Sequence, residues 1–186
     1  MLPTPEQTAA LIQSRRTIHS FKPELPDPAA VAEAIELVRW APNHRFTEPW
    51  RVYRLGEETT RLTLDLAEKL TAEKKNSEKA ARKREKWNAV PQWLVVSQVL
   101  AGDELQRLED YAACSVAIQN LQLYLWSAGI GVKWTSGPII RSSEFLELLW
   151  ADPATEQVVG LLQLGYPKET PSISRKPVAD YLINLP

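Results

Sequence analysis

The chain has 186 residues, of which 44% are hydrophobic and 24% are charged, so its composition is that of a globular domain and excludes a wholly disordered or fibrous protein. The 22 Lys and Arg residues nearly balance the 23 Asp and Glu residues, and the resulting net charge of -1 argues against a dedicated nucleic-acid binder. One cysteine and two histidines are too few for a Cys/His zinc site.

The amino terminus and the apolar segments show no pattern of export or membrane insertion. The opening residues MLPTPE lack the basic and apolar regions of a secretory signal. No apolar run approaches the ~20 residues that a transmembrane helix needs. The single cysteine, Cys114, cannot form an internal disulfide, which is typical of a reducing compartment. We therefore expect a soluble cytoplasmic protein, built as one domain over residues 1–186.

Two helices are predicted in the first quarter of the chain. Thr4 is a candidate N-cap that is followed by a proline, and Gln7 is placed to complete a capping box. Asp27 and Pro28 form a second cap and first-turn pair, which opens a helix with apolar residues at spacings of four and three. Pro42 ends this helix, because proline cannot donate the next backbone hydrogen bond.

The next segment changes from an extended to a helical pattern. Residues 43–49 are predicted as a loop and residues 50–55 as a strand. A third helix follows and merges into a charged stretch, since residues 68–86 contain eight basic and four acidic side chains. We expect a helical excursion at about residues 66–90 whose charges face solvent. A basic arm or a mobile lid is the alternative interpretation.

The second half of the chain has a long helix between short strands. Residues 93–96 predict a buried strand, and residues 103–129 predict a helix that is apolar on more than one side, as is typical of a buried or interface helix. Residues 132–135 and 158–164 predict further strands, and Ser143 is the candidate cap of a short helix. A tail rich in Pro and Ser follows and is expected to cross a surface. The order of elements indicates an α+β domain.

Several familiar catalytic motifs are missing from the sequence. It has no G-x-x-x-x-G-K-[ST] phosphate loop and no G-x-S-x-G nucleophile elbow. Its one G-x-G, at residues 129–131, is followed by Trp134 where the dinucleotide-binding motif requires a third glycine. Nothing in the sequence predicts hydrolysis.

Four short polar segments could bind an anionic, planar ligand. Residues 15–17 supply two guanidinium groups, whose forked donors suit phosphate oxygens. Residues 43–45 offer polar contacts, residues 134–137 an aromatic plane with hydroxyls, and residues 175–176 two further cations. Taken one at a time, each segment has a structural alternative: a surface ion pair, a polar turn, a strand end with a core tryptophan, or a solubilised tail.

The order and spacing of these segments carry more information than any one of them. The blocks are, in chain order, RRTIHSF (15–21), RWAP (39–42), EPW (48–50), AIQNL (117–121), AGIG (128–131), GLLQLGYP (160–167) and RKP (175–177). This arrangement resembles the nitroreductase family of FMN-dependent oxidoreductases, which opens with R-R-[ST]-[IV]-R-x-F and then A-P-S-x-x-N-x-Q-P-W. The resemblance spans nearly the whole chain, and it is closest to the compact subgroup of NAD(P)H nitroreductases with chains of this length.

The resemblance implies a fold and an activity. The fold would be a nitroreductase-like α+β domain, in which a central, mixed but mostly antiparallel sheet is flanked by helices and a long buried helix lies at a homodimer interface. The activity would be hydride transfer from NADH or NADPH, through N5 of FMN, to an electron-poor small-molecule acceptor such as a nitroaromatic or a quinone, in ping-pong order. No side chain would then be catalytic, because the flavin carries the chemistry.

The resemblance also implies which residues contact the cofactor. Arg15, Arg16 and Thr17 would hold the phosphate and ribityl chain, and Arg175 would add a phosphate contact. His44 would contact FMN from the facing subunit, and residues 134–136 would run along the flavin ring. The full predicted set of cofactor-binding residues is Arg15, Arg16, Thr17, Asn43, His44, Trp134, Thr135, Ser136 and Arg175.

Three positions depart from the family pattern. His19 stands where the family has an arginine, and Phe46 and Glu48 stand where it has asparagine and glutamine. Phe46 cannot donate a hydrogen bond to the flavin and Glu48 adds a negative charge, so these departures concern the substrate side more than FMN itself. Two alternatives stay open: a flavoenzyme of the same fold with other chemistry, such as dehalogenation or flavin fragmentation, and a non-catalytic flavin- or ligand-binding protein.

Overall fold

The computed structural model describes residues 2–186 and contains six α-helices and a four-stranded sheet in that range. The helices are Pro5–Ser14 (α1), Pro28–Glu36 (α2), Glu57–Lys74 (α3), Ser77–Asn88 (α4), Glu104–Ser127 (α5) and Ser143–Leu148 (α6). The strands are Trp50–Arg54 (β1), Gln92–Val99 (β2), Gly131–Thr135 (β3) and Glu156–Gly165 (β4). The α+β fold class predicted from the sequence is confirmed.

The sheet has the strand order β1-β2-β4-β3, and every pair of neighbouring strands is antiparallel. In the described part of the chain, parallel pairing occurs at one isolated bridge, between Thr17, which precedes the sheet strands, and Val132 of β3. The expected central sheet is therefore present, and its four strands are antiparallel throughout instead of mixed. The two central strands, β2 and β4, are buried over most of their length, which explains their nearly continuous apolar sequence.

Helices cover both faces of this sheet. Alternate residues of a strand point to opposite faces, so Leu94 and Leu162 pack with α2 and α5, whereas Trp93 and Leu161 pack with α3 and α6. Phe145 of α6 is fully buried on the same side of the sheet as Trp93 and Leu161. Two apolar cores, one on each side of the sheet, result.

The two amino-terminal helices begin where the sequence predicts. The Thr4 hydroxyl accepts a hydrogen bond from the Gln7 amide at 3.2 Å and the Thr4 amide donates to the Gln7 side chain at 2.9 Å, which completes the capping box. The Asp27 carboxylate accepts from the Ala29 amide at 3.0 Å. α2 ends at Glu36 and continues as a 3₁₀ turn, Leu37–Trp40, before the predicted stop at Pro42.

The charged stretch at residues 66–90 consists of parts of two helices, not of one continuous run. α3 ends at Lys74, and α4 begins after Asn76, whose side chain caps the new helix by accepting from the Lys79 amide at 2.9 Å. The two helices pack against each other, and Leu66 and Trp87 are buried in the core. The short helix α6 also differs from expectation, since it is Ser142, not Ser143, that occupies the N-cap position.

The remaining elements follow the predicted order. α5 has 24 residues and contributes Cys114, Ile118 and Leu121 to the core. The tail after residue 170 crosses the surface as irregular chain with one 3₁₀ turn, Val178–Asp180. No helix within residues 2–186 has both the length and the apolar character that crossing a membrane requires.

Cys114 provides a direct test of the core of α5. Burial raises the pKa of its thiol to about 12, so the reactive thiolate is scarce at neutral pH, and the side chain is fully buried. We expect Cys114 to react with a thiol reagent such as DTNB at pH 8 about 100-fold more slowly in the native protein than in denaturant. Equal rates in the two states would contradict the packing described here.

Candidate functional site

Three arginines gather at the carboxyl end of α1. Arg15 is half-buried, and its pKa is lowered first by burial and then by the neighbouring charges of Arg175 and Arg16. Guanidinium groups repel one another, and no carboxylate within residues 2–186 lies within 4.0 Å of any of these three. The cluster therefore brings together three of the predicted phosphate contacts, although Arg175 is separated from the other two by almost the whole chain.

Hydrogen bonds hold this arginine cluster in place. Arg15 donates from Nη1 to the Gln122 side chain of α5 at 3.4 Å. Arg16 donates from Nε to the Pro171 carbonyl at 3.2 Å and from Nη1 to the Gln13 carbonyl at 2.6 Å. The bond to Pro171 ties the carboxyl-terminal tail, and with it Arg175, to the beginning of the chain.

The segment after the arginines is fixed by the sheet. The Ile18 amide donates to the Val132 carbonyl at 3.2 Å, and Thr17 pairs with Val132 in the parallel bridge. Gly131 leaves room for this segment, since a Cβ atom there would lie 2.4 Å from Cγ1 of Ile18. Thr17 itself is exposed, so its hydroxyl is available to a ligand.

An open cleft of about 410 Å³ lies between the α3–α4 hairpin and the sheet. We call it the cationic cleft, because six basic side chains line it and no Asp or Glu of the described chain does. The six are Lys75, Lys79, Arg82, Lys83, Lys86 and Lys133. Its other lining residues are His19, Thr71, Trp87, Thr135 and Gln163.

The basic side chains of the cationic cleft influence one another. Burial lowers the pKa of Lys83, and the charges of Lys75 and Lys133 lower it further. Burial also lowers the pKa of Lys133, with an added effect of Lys86. The charges that act on these two lysines are positive, and no Asp or Glu among residues 2–186 lines the cationic cleft, so its positive charge has no negative charge facing it.

Strand β3 forms one wall of the cationic cleft. Its side chains alternate between the two faces of the sheet, so the residues predicted to contact the flavin ring do not all face the cleft. Lys133 and Thr135 face the cleft, and the Thr135 hydroxyl accepts from the Gln163 side chain at 3.2 Å. Trp134 points to the other side of the sheet, where its indole packs on Gly160 and donates to the Val159 carbonyl at 3.2 Å. The Trp134 side chain therefore lies on the face of the sheet that α5 covers, and only the backbone of Trp134 is on the side of the cationic cleft.

Ser136, the third predicted contact of this segment, is exposed and lies beside a different depression. It lines that depression with Lys74, Gly137 and Arg141 at the end of β3. Within one chain, Ser136 therefore does not face the cationic cleft.

The loop at residues 43–48 has an unusual backbone. Arg45, Phe46 and Glu48 all have positive φ angles, of 61°, 51° and 44°, in the left-handed region that non-glycine residues seldom adopt. Asn43 stabilises this shape, because its side-chain oxygen accepts from the Glu48 amide at 2.7 Å and its amide group donates to the Thr47 hydroxyl at 3.0 Å. Phe46, at the tip, has 89% of its surface exposed.

The loop lies far from the arginine cluster within one chain. His44 pairs with Glu109 of α5 at 2.9 Å, whereas Arg15 contacts Gln122 of the same helix. Thirteen residues of α-helix separate those two positions, which corresponds to about 20 Å along the axis. One subunit therefore does not bring Asn43 and His44 to the same ligand as Arg15.

The sequence analysis did not assign several residues of the cationic cleft. Lys79, Arg82, Lys83 and Lys86 were interpreted as a solvated face, although their spacings of three, one and three place them on one side of a helix. That spacing is the feature of the sequence that indicates a shared basic surface on one side of the helix. The position of the helix over β3 and β4 depends on tertiary packing, which a single sequence does not display.

The residues present fit a cofactor of the FMN type. Three guanidinium groups match a phosphate, and the adjoining cleft has the size and the hydrogen-bonding side chains that a planar ring system needs. The described residues contain no group of three His, Cys, Asp or Glu side chains that could hold a metal ion. Fold and candidate site together indicate the class: an α+β protein whose arginine cluster and cationic cleft suit a phosphate-bearing, planar ligand.

Comparison with known proteins gives the family. Residues 12–166 match the sequence model of the Nitroreductase family. The chain is 34% identical over 175 residues to the Bacillus subtilis (strain 168) protein named "Putative NAD(P)H nitroreductase YfhC", a match that covers 91% of this chain and 90% of that protein. The chain therefore belongs to the nitroreductase family and is a flavin-dependent oxidoreductase.

Solved structures agree with this assignment. A nitroreductase-like family protein from Bacillus cereus superposes with a TM-score of 0.87 at 26% identity, covering 100% of this chain and 99% of the other. A nitroreductase with bound FMN from Desulfitobacterium hafniense DCB-2 superposes with a TM-score of 0.76 at 19% identity, and both chains are covered completely. The second likeness concerns the fold alone.

Proposed function

We propose that the protein is a homodimeric NAD(P)H oxidoreductase that binds one FMN per chain and reduces an electron-poor small molecule of the nitroaromatic or quinone type. The observation that carries the proposal is the arginine cluster beside the cationic cleft. Arg15, Arg16 and Arg175 would bind the phosphate, and the cleft would take the ring. The buried free thiol of Cys114 is in keeping with a cytoplasmic location.

The chemistry that FMN supplies when bound is hydride transfer between the nicotinamide and the acceptor. Lys133 and His19 line the cationic cleft, so they would lie beside a flavin ring held there. The positive charge of Lys133 would stabilise negative charge on that ring. Thr135 and Gln163 orient each other through their hydrogen bond and present polar atoms along β3 and β4.

Reduction by nicotinamides tests the proposed reaction. The purified protein is loaded with FMN and titrated anaerobically with NADH and with NADPH, while the flavin absorbance is recorded. We expect one or both donors to bleach the flavin, and an added nitroaromatic or quinone to restore the colour. A flavin that stays oxidised with both donors would reject this reaction and favour a different flavin chemistry on the same fold.

The homodimer is supported by apolar surface that one chain leaves exposed. On α5, Leu105, Leu108, Tyr111 and Val116 have between 39% and 67% of their surface exposed. The tip residue Phe46 and the apolar tail are exposed as well. A second copy of the chain would cover this surface. It would also bring its own Asn43 and His44 to the FMN site that contains Arg15 of the first copy, whereas Asn43 and His44 of the same chain lie too far away.

Light scattering after gel filtration measures the subunit number. We expect a mass of twice the 21.0 kDa chain, and we expect Val116→Asp to produce monomers that retain little FMN. Leu25→Asp is the control, because Leu25 is more exposed than Val116 and lies beside residues of α3 and α4, not of α5. A monomeric wild-type protein that binds FMN would contradict the dimer.

A further inference from the structure

The basic charge of the cationic cleft exceeds what FMN requires. The cofactor phosphate has its own site at the three arginines, and a reduced flavin ring carries at most one negative charge. Six basic side chains nevertheless line the cleft. Like charges held together destabilise one another, so this arrangement favours a ligand that brings further negative charge.

Contacts within the chain distinguish the roles of these side chains. Lys83 donates to the Thr71 hydroxyl at 3.1 Å and lies over the Trp87 ring at 4.2 Å, so it is engaged in packing. Arg82 pairs with Glu78 at 2.6 Å. Lys79 and Lys86 have no carboxylate of the described chain within 4.0 Å, and both side chains are exposed to the cleft.

Lys79 and Lys86 lie on one side of α4, seven residues apart. Two helical turns separate them, so both line the same side of the cationic cleft. Lys86 is close enough to Lys133, on the strand wall, to lower its pKa. The two lysines therefore lie at the wall of the cationic cleft opposite β3, where they would meet the charged groups of a molecule that enters the cleft.

We propose that the lysines of α4, with Lys79 and Lys86 foremost, select a reaction partner of the flavin that carries a carboxylate or phosphate group. This inference rests on the proposed function, because it names the charge of the molecule that meets the flavin. Two sources share this chemistry: an anionic aromatic acceptor, and the 2′-phosphate that distinguishes NADPH from NADH. Lysine ammonium groups suit both, since each binds oxygen anions as a point charge.

The test compares Lys79→Gln/Lys86→Gln with wild-type holoenzyme. Photoreduced enzyme is mixed with 4-nitrobenzoate or with neutral 4-nitrobenzamide, and the rate of flavin reoxidation gives one selectivity ratio. Oxidised enzyme is mixed with NADPH or NADH, and the rate of flavin reduction gives a second. The dissociation constant of 4-nitrobenzoate, from its perturbation of the flavin spectrum, provides a readout that does not depend on turnover. Lys22→Gln/Lys168→Gln removes the same charge from exposed positions outside the cleft.

We expect one of the two selectivity ratios to fall by about tenfold in the α4 variant, with an unchanged FMN content, and the control to stay within about twofold of wild type. The ratio that falls identifies the source of the anion; if it is the acceptor ratio, the dissociation constant of 4-nitrobenzoate rises by about the same factor. Unchanged ratios would overturn the inference while leaving the proposed function intact. So would equal losses for charged and neutral partners, since the lysines would then serve the flavin alone. A preparation that cannot bind FMN would instead reject the proposed function.

Discussion

Replacing Arg15 with glutamine is expected to weaken FMN binding by about 10- to 100-fold. A hydrogen bond to a charged group contributes about 1.5–3 kcal/mol, and each 1.4 kcal/mol corresponds to a factor of ten in affinity. Arg15 is half-buried between Arg16, Arg175 and Gln122, so solvent cannot replace it fully. The quenching of FMN fluorescence, measured in a titration with protein, gives the dissociation constant.

Arg61→Gln is the matched control for Arg15→Gln. Arg61 lies on α3 and forms an exposed pair with Asp65 at 3.2 Å, so its loss removes one guanidinium charge without touching the proposed phosphate site. We expect its FMN affinity to stay within about twofold of wild type, because exposed pairs contribute little. If Arg15→Gln binds FMN as tightly as Arg61→Gln does, the arginine cluster is not the phosphate site.

Replacing Gly131 with alanine is expected to destabilise the fold by about 2 kcal/mol, as overpacking of a filled core does. The added Cβ would lie 2.4 Å from Cγ1 and 2.9 Å from Cβ of Ile18, and 3.1 Å from the ring of Pro167. The Cβ of Ile18 is anchored to the backbone, so relief requires the segment after Arg15 and Arg16 to move away from β3. Weaker FMN binding should accompany the loss of stability.

Urea unfolding of the FMN-free variants measures this effect without the stabilisation that a bound ligand adds. Gly102→Ala serves as the control, because a Cβ there would meet no atom within 4 Å. We expect its free energy of unfolding to stay within about 0.5 kcal/mol of wild type. Equal stability of the two variants would show that β3 does not hold the Ile18 segment as tightly as described.

The sequence alone predicts those parts of the fold that depend on local chemistry. The cap at Thr4, the proline-marked start of α2 and the long apolar pattern of α5 all depend on neighbours within a few residues. The break between α3 and α4 was missed, even though Asn76 is a good N-cap, because the charged pattern runs through it without interruption.

The candidate site is only partly visible in the sequence, for a different reason. The motif at residues 15–17 is local, whereas Arg175 was expected there only from the family resemblance, because its position beside Arg15 depends on the contact of the tail with Arg16. The direction of Trp134 depends on the register of β3 against β4, which decides the face that each side chain of the strand occupies. The opposition of Lys86 and Lys133 is likewise a product of helix packing. Asn43 and His44 stay predictions for a site completed by a second subunit.

The visible absorption of the protein after mixing with excess FMN and removal of unbound FMN by gel filtration tests the central claim most directly. The account predicts a yellow protein with one FMN per chain, whose FMN content falls in Arg15→Gln and stays unchanged in Arg61→Gln. A colourless wild-type protein after this treatment would contradict it, because the arginine cluster and the cationic cleft would then not form a flavin site.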